Sequence, residues 1–404
     1  MTAFRKLLIA VTGLACSFSL GCGGGSSSKT NVITQSGSNV APIVVNAGPA
    51  NSYANGAFAS VTVCVPGTST CQTIDGVLVD TGSSGLRIVS SALTTVALPQ
   101  QKASDGNPVA ECLQFLGSYT WGPVQTADVQ IAGEKASAMP IQVLSDTDFT
   151  APNACSNGLP SANTVANLGA NGILGIGNAA QDCGDSSGCG LYYECASTGS
   201  CTTTGEAVAQ QVVNPVALFT TDNNGVIVEL PAVSGSEATV NGSLVFGIGT
   251  QSNNGLSGAT VYTIDPTFSF NVEYNGTTYG GSFIDSGSNG YFFLDSSIVP
   301  ALLDCSSTSG ASGFYCPTST QNLSATNKGI NGASGTVNFS IANAETLFNN
   351  LNATAFSQLG GPSIISGSGP AYFDWGLPFF YGHNVYVSIE GTTAPGGTTP
   401  YWAY

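Results

Sequence analysis

The sequence predicts an all-β fold in two lobes with few short helices, and three observations carry that prediction. Sustained helical periodicity is scarce along the chain. Short runs of alternating apolar and polar residues recur instead, bounded by Gly, Asn and Ser, the pattern of half-buried strands joined by turns. One plan, an apolar run that stops at an aspartate and a hydroxyl-rich Gly turn, is also written twice: Val77-Leu78-Val79-Asp80-Thr81-Gly82-Ser83-Ser84 and Phe283-Ile284-Asp285-Ser286-Gly287-Ser288. The spacing leaves each copy room for its own lobe of about 150–200 residues.

The chain opens on an export signal, residues 1–21, in which Arg5 and Lys6 precede an apolar stretch from Leu7 to Ala15 that is too short to span a bilayer. Ser19-Leu20-Gly21-Cys22 resembles a bacterial lipobox, with Cys22 as the lipidated residue and Cys16 as a competing site. Residues 22–45 read as a flexible polar tether. The membrane is therefore expected as a partner only through an N-terminal lipid anchor. The expected location is the bacterial cell envelope, at the outer membrane or in the periplasm, or outside the cell.

Next come the strands. Ala59 to Cys64 and Gln72 to Asp80 form a hairpin that delivers the first acid. Tyr119 to Val124 and Ala127 to Gly133 read as a second hairpin with aromatics near its tip. Ala170 to Gly177 is a short apolar strand between glycines, followed by a cysteine-rich insert from Asp182 to about Thr203 and a helix-like stretch, Glu206 to Val213. Gly225 to Leu230 and Gly242 to Gly247 are strands again. Phe270 to Tyr274, Asn275-Gly276 and Thr277 to Tyr279 give the strongest hairpin signal, because Asn-Gly fits a type I′ turn, and this hairpin leads into the second acid. The last apolar block, Tyr372 to Ile389, holds Trp375-Gly376. The lobes are bounded at 46–249, with Asp80 and the insert, and at 250–404, with Asp285.

Composition narrows the function classes. Of 404 residues, 42% are hydrophobic and only 7% charged, enough to bury a large core under a surface of Ser, Thr, Asn and Gly. The net charge of −16 is built from few charges of nearly one sign, which excludes nucleic acid as a partner, since that binding rests on Lys and Arg contacts to phosphate. Setting Cys16 and Cys22 aside leaves an even ten of the 12 cysteines, read as five disulfides of an exported protein. Cys64 and Cys71 flank a turn, Cys305 and Cys316 bracket a Ser/Gly loop, and Cys112 and Cys155 pair by elimination. Pairing within Cys183, Cys189, Cys195 and Cys201 stays open. Their spacing lacks the close pairs of a zinc site, so no metal is expected.

Two aspartates that face each other cannot both ionise cheaply, so they share a proton, and one can act as base while the other acts as acid. That is equipment for activating a water. At these residues the chain resembles the bilobal pepsin-like aspartic peptidases. Asp80-Thr81-Gly82-Ser83-Ser84 and Asp285-Ser286-Gly287-Ser288 are similar to that family's two active-site motifs, Tyr119 to Val124 to its flap, and Ile173-Leu174-Gly175 to its apolar-apolar-Gly strand. Leu244 to Gly247 resembles its inter-lobe strand and Trp375-Gly376 the closing strand of its second lobe. The chain also resembles a bacterial exported-protein family described as of unknown function.

The resemblance implies a double β-barrel with a central inter-lobe sheet, running over roughly residues 46 to 390. It implies that Asp80 and Asp285 bind the attacking water, that Thr81 and Ser286 interlock beneath them, and that Ser83 and Ser288 hydrogen-bond the outer carboxylate oxygens, with Gly82 and Gly287 between. Tyr119 and Trp121 are its candidates for the flap aromatic. Arg87 stands where a Trp is usual, and a cation there is expected to depress the dyad's pKa; the alternative is a surface Arg paired with a nearby acid. Asn289-Gly290 also departs from the family's Ser or Thr. The expected activity is endopeptidase action on a peptide or protein substrate by a monomer without cofactor. The alternative is a pepsin-fold surface lipoprotein that binds a peptide, glycan or partner protein without cutting it. A serine hydrolase reading of Gly184-Asp185-Ser186-Ser187-Gly188 with His383 is set aside, since that string lies between two cysteines instead of at a strand-to-helix turn.

Overall fold

The computed structural model describes residues 31, 33–115, 117–184, 189–196, 200–363 and 371–404. The export signal, Cys16, Cys22, the first part of the tether and residues 185–188 of the Gly-x-Ser-x-Gly string lie outside these residues.

The first half of the chain forms β1 (Val40–Asn46), β2 (Gly56–Cys64), β3 (Cys71–Asp80), β4 (Ser84–Val89), β5 (Val109–Gln114), β6 (Tyr119–Ile131), β7 (Glu134–Leu144), β8 (Gly172–Ile176), β9 (Tyr192–Cys195), β10 (Cys201–Thr203), β11 (Gly225–Glu229), β12 (Ser236–Glu237) and β13 (Val240–Phe246). The second half forms β14 (Val261–Thr263), β15 (Phe270–Tyr274), β16 (Thr277–Ile284), β17 (Tyr291–Phe293), β18 (Gln321–Lys328), β19 (Ser334–Ile341), β20 (Ala355–Phe356), β21 (Gly360–Pro362), β22 (Asp374–Trp375), β23 (Asn384–Ser388) and β24 (Tyr401–Ala403). Among the described residues helices are few and no longer than five residues. Among the described residues none is long and apolar enough to cross a membrane.

Among the described residues one sheet of 15 strands carries the first acid, a sheet of seven carries the second, and β12 pairs with β20. In the large sheet β1, β13 and β11 continue into β23, β24 and β14, so the closing strands of the chain return to the sheet that its first half builds. The fold is all-β and bilobal.

Both acid-bearing strands end in the same local arrangement. In the first half β3 runs parallel to β8, with Leu78 against Ile173 and Asp80 against Gly175, and β8 pairs antiparallel with β4, which follows the acid turn. In the second half β16 runs parallel to β22, with Phe283 against Asp374 and Ile284 against Trp375, and β22 pairs antiparallel with β17. A strand flanked on both edges and covered on both faces reads as a continuous apolar run, which is why Val77 to Val79 show no alternation, whereas β16 alternates at its end, with Ser282 and Ile284 buried and Phe283 between them half-buried. The core differs between the halves: Val, Ile, Leu and Ala fill the first, while Tyr291, Phe293, Phe339, Phe373 and Trp375 pack ring on ring in the second.

Among the described residues five disulfides form: Cys64–Cys71, Cys112–Cys155, Cys183–Cys189, Cys195–Cys201 and Cys305–Cys316. They belong to an exported, extracytoplasmic protein.

Two readings need correction. The tether ends earlier than 45, because Val40–Asn46 is a strand with Ala41, Ile43 and Val45 turned into the core, and Thr34 already docks through its N–H on Glu229 Oε2 at 2.6 Å. Its polar residues are spent on hydrogen bonds, so the stretch before Val40 has no apolar period to read. The second hairpin is also placed differently. Tyr119–Ile131 is one 13-residue strand, paired with β5 before it and β7 after it. Within that strand Gly122 leaves room for its neighbour, since a Cβ there would meet Val143 O at 1.9 Å.

Candidate active site

Asp80 ends β3 and Asp285 follows β16, and the loops behind them lock together. Thr81 Oγ1 donates to Ile284 O at 3.0 Å and accepts from Ser286 N at 2.9 Å. In return Ser286 Oγ donates to Val79 O at 2.7 Å and accepts from Thr81 N at 3.1 Å. These four bonds are buried and tie one acid loop to the other, which fixes the separation of the acids at backbone precision.

The two carboxyls line one cavity above this lock, each close against the other's acid loop. Asp80 accepts from Gly82 N at 2.8 Å and from the Ser83 hydroxyl. Asp285 accepts from Gly287 N at 2.7 Å and from Ser288 Oγ at 2.8 Å. Both glycines are sterically required, since a Cβ on Gly82 would lie 2.5 Å from Asp285 Cγ and one on Gly287 2.7 Å from Asp80 Oδ1. Burial, the Asp80 charge and then the Asp374 charge hold the Asp285 carboxyl well above the usual range. Two acids so placed retain a proton between them and can serve one water as base and acid.

A groove runs past the pair as two cavities of about 400 Å³ each that share Phe115. One is lined by Asp80, Asp285, Tyr53 and Ser118, the other by Gly82, Gln114, Asp182, Phe268 and Phe283. The hairpin β5–β6 hangs over the groove by its turn, Phe115 to Ser118, of which Leu116 lies outside the described residues. The flap assignment is corrected accordingly. Tyr119 and Trp121 lie below the turn in a cluster with Cys112, Cys155 and Tyr193, and Trp121 is fully buried, its Nε1 donating to Phe149 O at 2.7 Å. Leu113, Gln114 and Phe115 line the groove, while Tyr119 and Trp121 pack into the cluster on the other side.

Arg87 is corrected as well. It is neither on the surface nor an ion partner of the dyad; it is 0% exposed, with Nη2 at 2.6 Å from Glu111 Oε1 and 3.0 Å from Asp182 Oδ2. Tyr192 completes the cluster through its hydroxyl to Asp182 Oδ1 at 2.7 Å. Burial alone would push the guanidinium down, but the two carboxylates outweigh it and hold it up. Burial and Glu111 in turn push Asp182 well above its usual range. The insert starts on the groove rim at Gln181 and Asp182, and its strand β9 then extends the flap sheet along β5. His383 is a packing residue, stacked on Phe379 and hydrogen-bonded to Phe379 O at 2.6 Å.

Three residues of the site escape a motif reading. Tyr53 lines the groove beside both acids, and burial, then Asp80 and Asp285, push its hydroxyl far up. Asn55 ties the same loop to the second acid loop through Asn289 O at 2.8 Å. Asp374 sits behind Ser288, with its Oδ2 at 2.6 Å from Ser288 Oγ. No fixed string announces Tyr53 or Asn55. Asp374 carried a signal, an acid inside the last apolar block, next to Trp375.

A family model described as "Protein of unknown function (DUF3443)" matches residues 35–404. Among solved structures, the chain is similar to the aspartic proteinase from Irpex lacteus, with a TM-score of 0.52 and 16% identity, over 90% of this chain and 96% of that one. No curated protein matches. At that identity the likeness speaks to the fold.

Proposed function

The chain belongs to the DUF3443 family, and we propose that this member is an exported aspartic-type endopeptidase that hydrolyses peptide bonds with a water activated between Asp80 and Asp285. One observation carries the reading: two carboxyls brought close together at the floor of a groove, Asp80 buried and Asp285 half-buried, each with its own Gly amide and Ser hydroxyl. A protein that only binds has no use for two acids forced together, since each raises the cost of ionising the other.

In the proposed reaction the ionised member of the pair takes a proton from the water as its oxygen attacks the peptide carbonyl carbon. The protonated member gives its proton to the carbonyl oxygen. The neutral diol then collapses: the first acid passes its proton to the leaving nitrogen, the second regains one from a hydroxyl, and the C–N bond breaks. No covalent intermediate forms. The turn at Phe115 to Ser118 would cover the substrate, and Tyr53 would face it from the opposite wall. Lipid attachment at Cys22 would hold the enzyme at the envelope surface on its short tether.

Asp80→Asn and Asp285→Asn test the reading with a fluorogenic peptide library assayed across acidic and neutral pH. Each is expected to remove nearly all cleavage, because the pair works as a unit and single losses are not additive. Both should fold, since Asn keeps the shape and relieves a buried charge. Cleavage that persists in either variant, or a wild type that binds peptide without turnover, sinks the peptidase reading; the second outcome leaves the non-catalytic binder.

A further inference from the structure

Ser288 has one hydroxyl hydrogen and two carboxyl neighbours. Its Oγ is 2.8 Å from Asp285 Oδ2 and 2.6 Å from Asp374 Oδ2. A hydroxyl satisfies both contacts only by donating to one oxygen and accepting from the other. One of the two carboxyls must therefore carry a proton on the oxygen that faces Ser288.

Their surroundings decide which. Asp285 also accepts from the Gly287 amide and shares its charge with Asp80. Asp374 is 1% exposed, its Oδ1 has no hydrogen-bond partner among the described residues, and none of their ion pairs includes it. A negative charge is better held by the dyad, where donors converge, than by Asp374, where they do not. The two halves of the fold sharpen the contrast. The residue paired with the position two before the first acid is Ile173, and the residue paired with the position two before the second is Asp374. The strand position that holds Asp374 in the second half thus holds the apolar Ile173 in the first.

We infer that Asp374 is a third acid of the site, a neutral positioning residue that donates through the Ser288 hydroxyl to Asp285 and whose ionisation sets the alkaline limit of the dyad's working form. A hydroxyl that accepts one hydrogen bond donates the next more strongly, so Asp285 has a better donor than Asp80 has in Ser83. When Asp374 gives its proton to solvent, the Ser288 hydrogen is drawn to it. Asp285 then loses a donor and gains a like charge. The titratable groups facing Asp374 are Asp285 from the end of β16, Asp80 from the end of β3 and Tyr372 from just before β22, while β17 sets the apolar Phe292 against it; among the described residues none is a cation. Burial, against the Ser288 hydrogen bond and with Asp80 adding, pushes the Asp374 carboxyl up to about 8, in keeping with a neutral acid.

Asp374→Asn keeps a donor for Ser288 and cannot ionise. The first readout is infrared and needs no peptidase activity. At neutral pH, where an ordinary aspartic acid is fully ionised, wild type minus variant should show the C=O band of one protonated carboxyl. A wild type without that band overturns the proton on Asp374. The second readout rests on the peptidase reading: the upper pKa of the kcat/KM profile should rise by about 0.3 unit or more, because two acids able to lose the cluster's next proton become one. An upper limb that stays or falls overturns the positioning role. In a Ser288→Ala background the same substitution should leave the limb in place, and a shift that persists there overturns the route through Ser288. Asp374→Ile, which copies Ile173, gives both readouts if the Asn variant does not fold. If the wild type cleaves no peptide at all, the peptidase reading has failed, and the infrared band and its pH titration still decide the state of Asp374.

Discussion

The buried acids make stability fall as pH rises, the reverse of a protein held by carboxylate ion pairs. Asp374 titrates at 3.8 when unperturbed and at about 8 in the fold, so the native state binds a proton that the unfolded chain has released between those values. Its contribution is fully present below 3.8 and is lost as pH rises through about 8. Asp285 and Asp182, also raised, act with the same sign. Asp128 and Asp265 are lowered; burial works against them, but hydrogen bonds from Lys135 to Asp128 and from Thr267 to Asp265 prevail, so their opposing effect appears only in stronger acid. In the middle of the window each raised acid contributes a slope of about 1.4 kcal/mol per pH unit, and Asp374 alone amounts to something on the order of 5 kcal/mol across it. Urea unfolding of the oxidised protein at steps from about pH 5 to about pH 7, with linear extrapolation, measures the slope. Wild type should lose stability with rising pH, and Asp374→Asn should lose it less steeply by roughly one acid's share. A wild-type slope that is flat or positive, or one that the substitution leaves unchanged, refutes the reasoning.

Two further outcomes follow from single side chains. Arg87→Met leaves Glu111 and Asp182 buried without their cation and should cost about 3–5 kcal/mol near neutral pH and less in acid, where the carboxyls can protonate, as read from urea midpoints at two pH values. Mass spectrometry of the mature N-terminus from membranes should find an acylated glyceryl group on Cys22, and an unmodified terminus elsewhere would remove the lipid anchor from the proposal.

How much of this could be read from the chain depends on what kind of signal each part leaves. The acid loops are legible because a tight turn around a carboxylate tolerates few residues, so Thr81, Gly82 and Ser83 recur as Ser286, Gly287 and Ser288 with little freedom. The hairpin through Asn275-Gly276 is legible for the same reason: its turn demands positive φ, and both residues have it. Long-range pairing leaves no such string. Trp121 looks like a flap aromatic until β5 is known to pair with β6 through Phe115 to Ser118, which turns its ring inward. Arg87 looks exposed or catalytic until Glu111 and Asp182, distant in sequence, close around it. Asp374 is next to an aromatic anchor, Trp375, yet only the parallel pairing of β16 with β22 brings it under Ser288.

Scarcity of cations explains why the acids of the groove are governed by protons. The chain has seven Lys and Arg in all, and among the described residues only Arg87, Lys102, Lys135 and Lys328 remain. Arg87 is taken by Glu111 and Asp182, Lys135 by Asp128 and Lys328 by Glu273. Lys102 is exposed, so apart from Asp182, which shares Arg87 with Glu111, an acid beside the groove has no positive side chain to recruit among the described residues, and it can stay there only by accepting backbone and hydroxyl hydrogen bonds or by keeping its proton. Asp80 and Asp285 have the first means in full; Asp374, with one hydroxyl and an unpartnered oxygen, has the second. A cation placed beside Asp374 would let it ionise and would pull the Ser288 hydrogen away from Asp285. The low-charge composition is thus part of the chemistry of the site, because it keeps the proton count of three carboxyls, and with it the working state of the dyad, under the control of solvent pH.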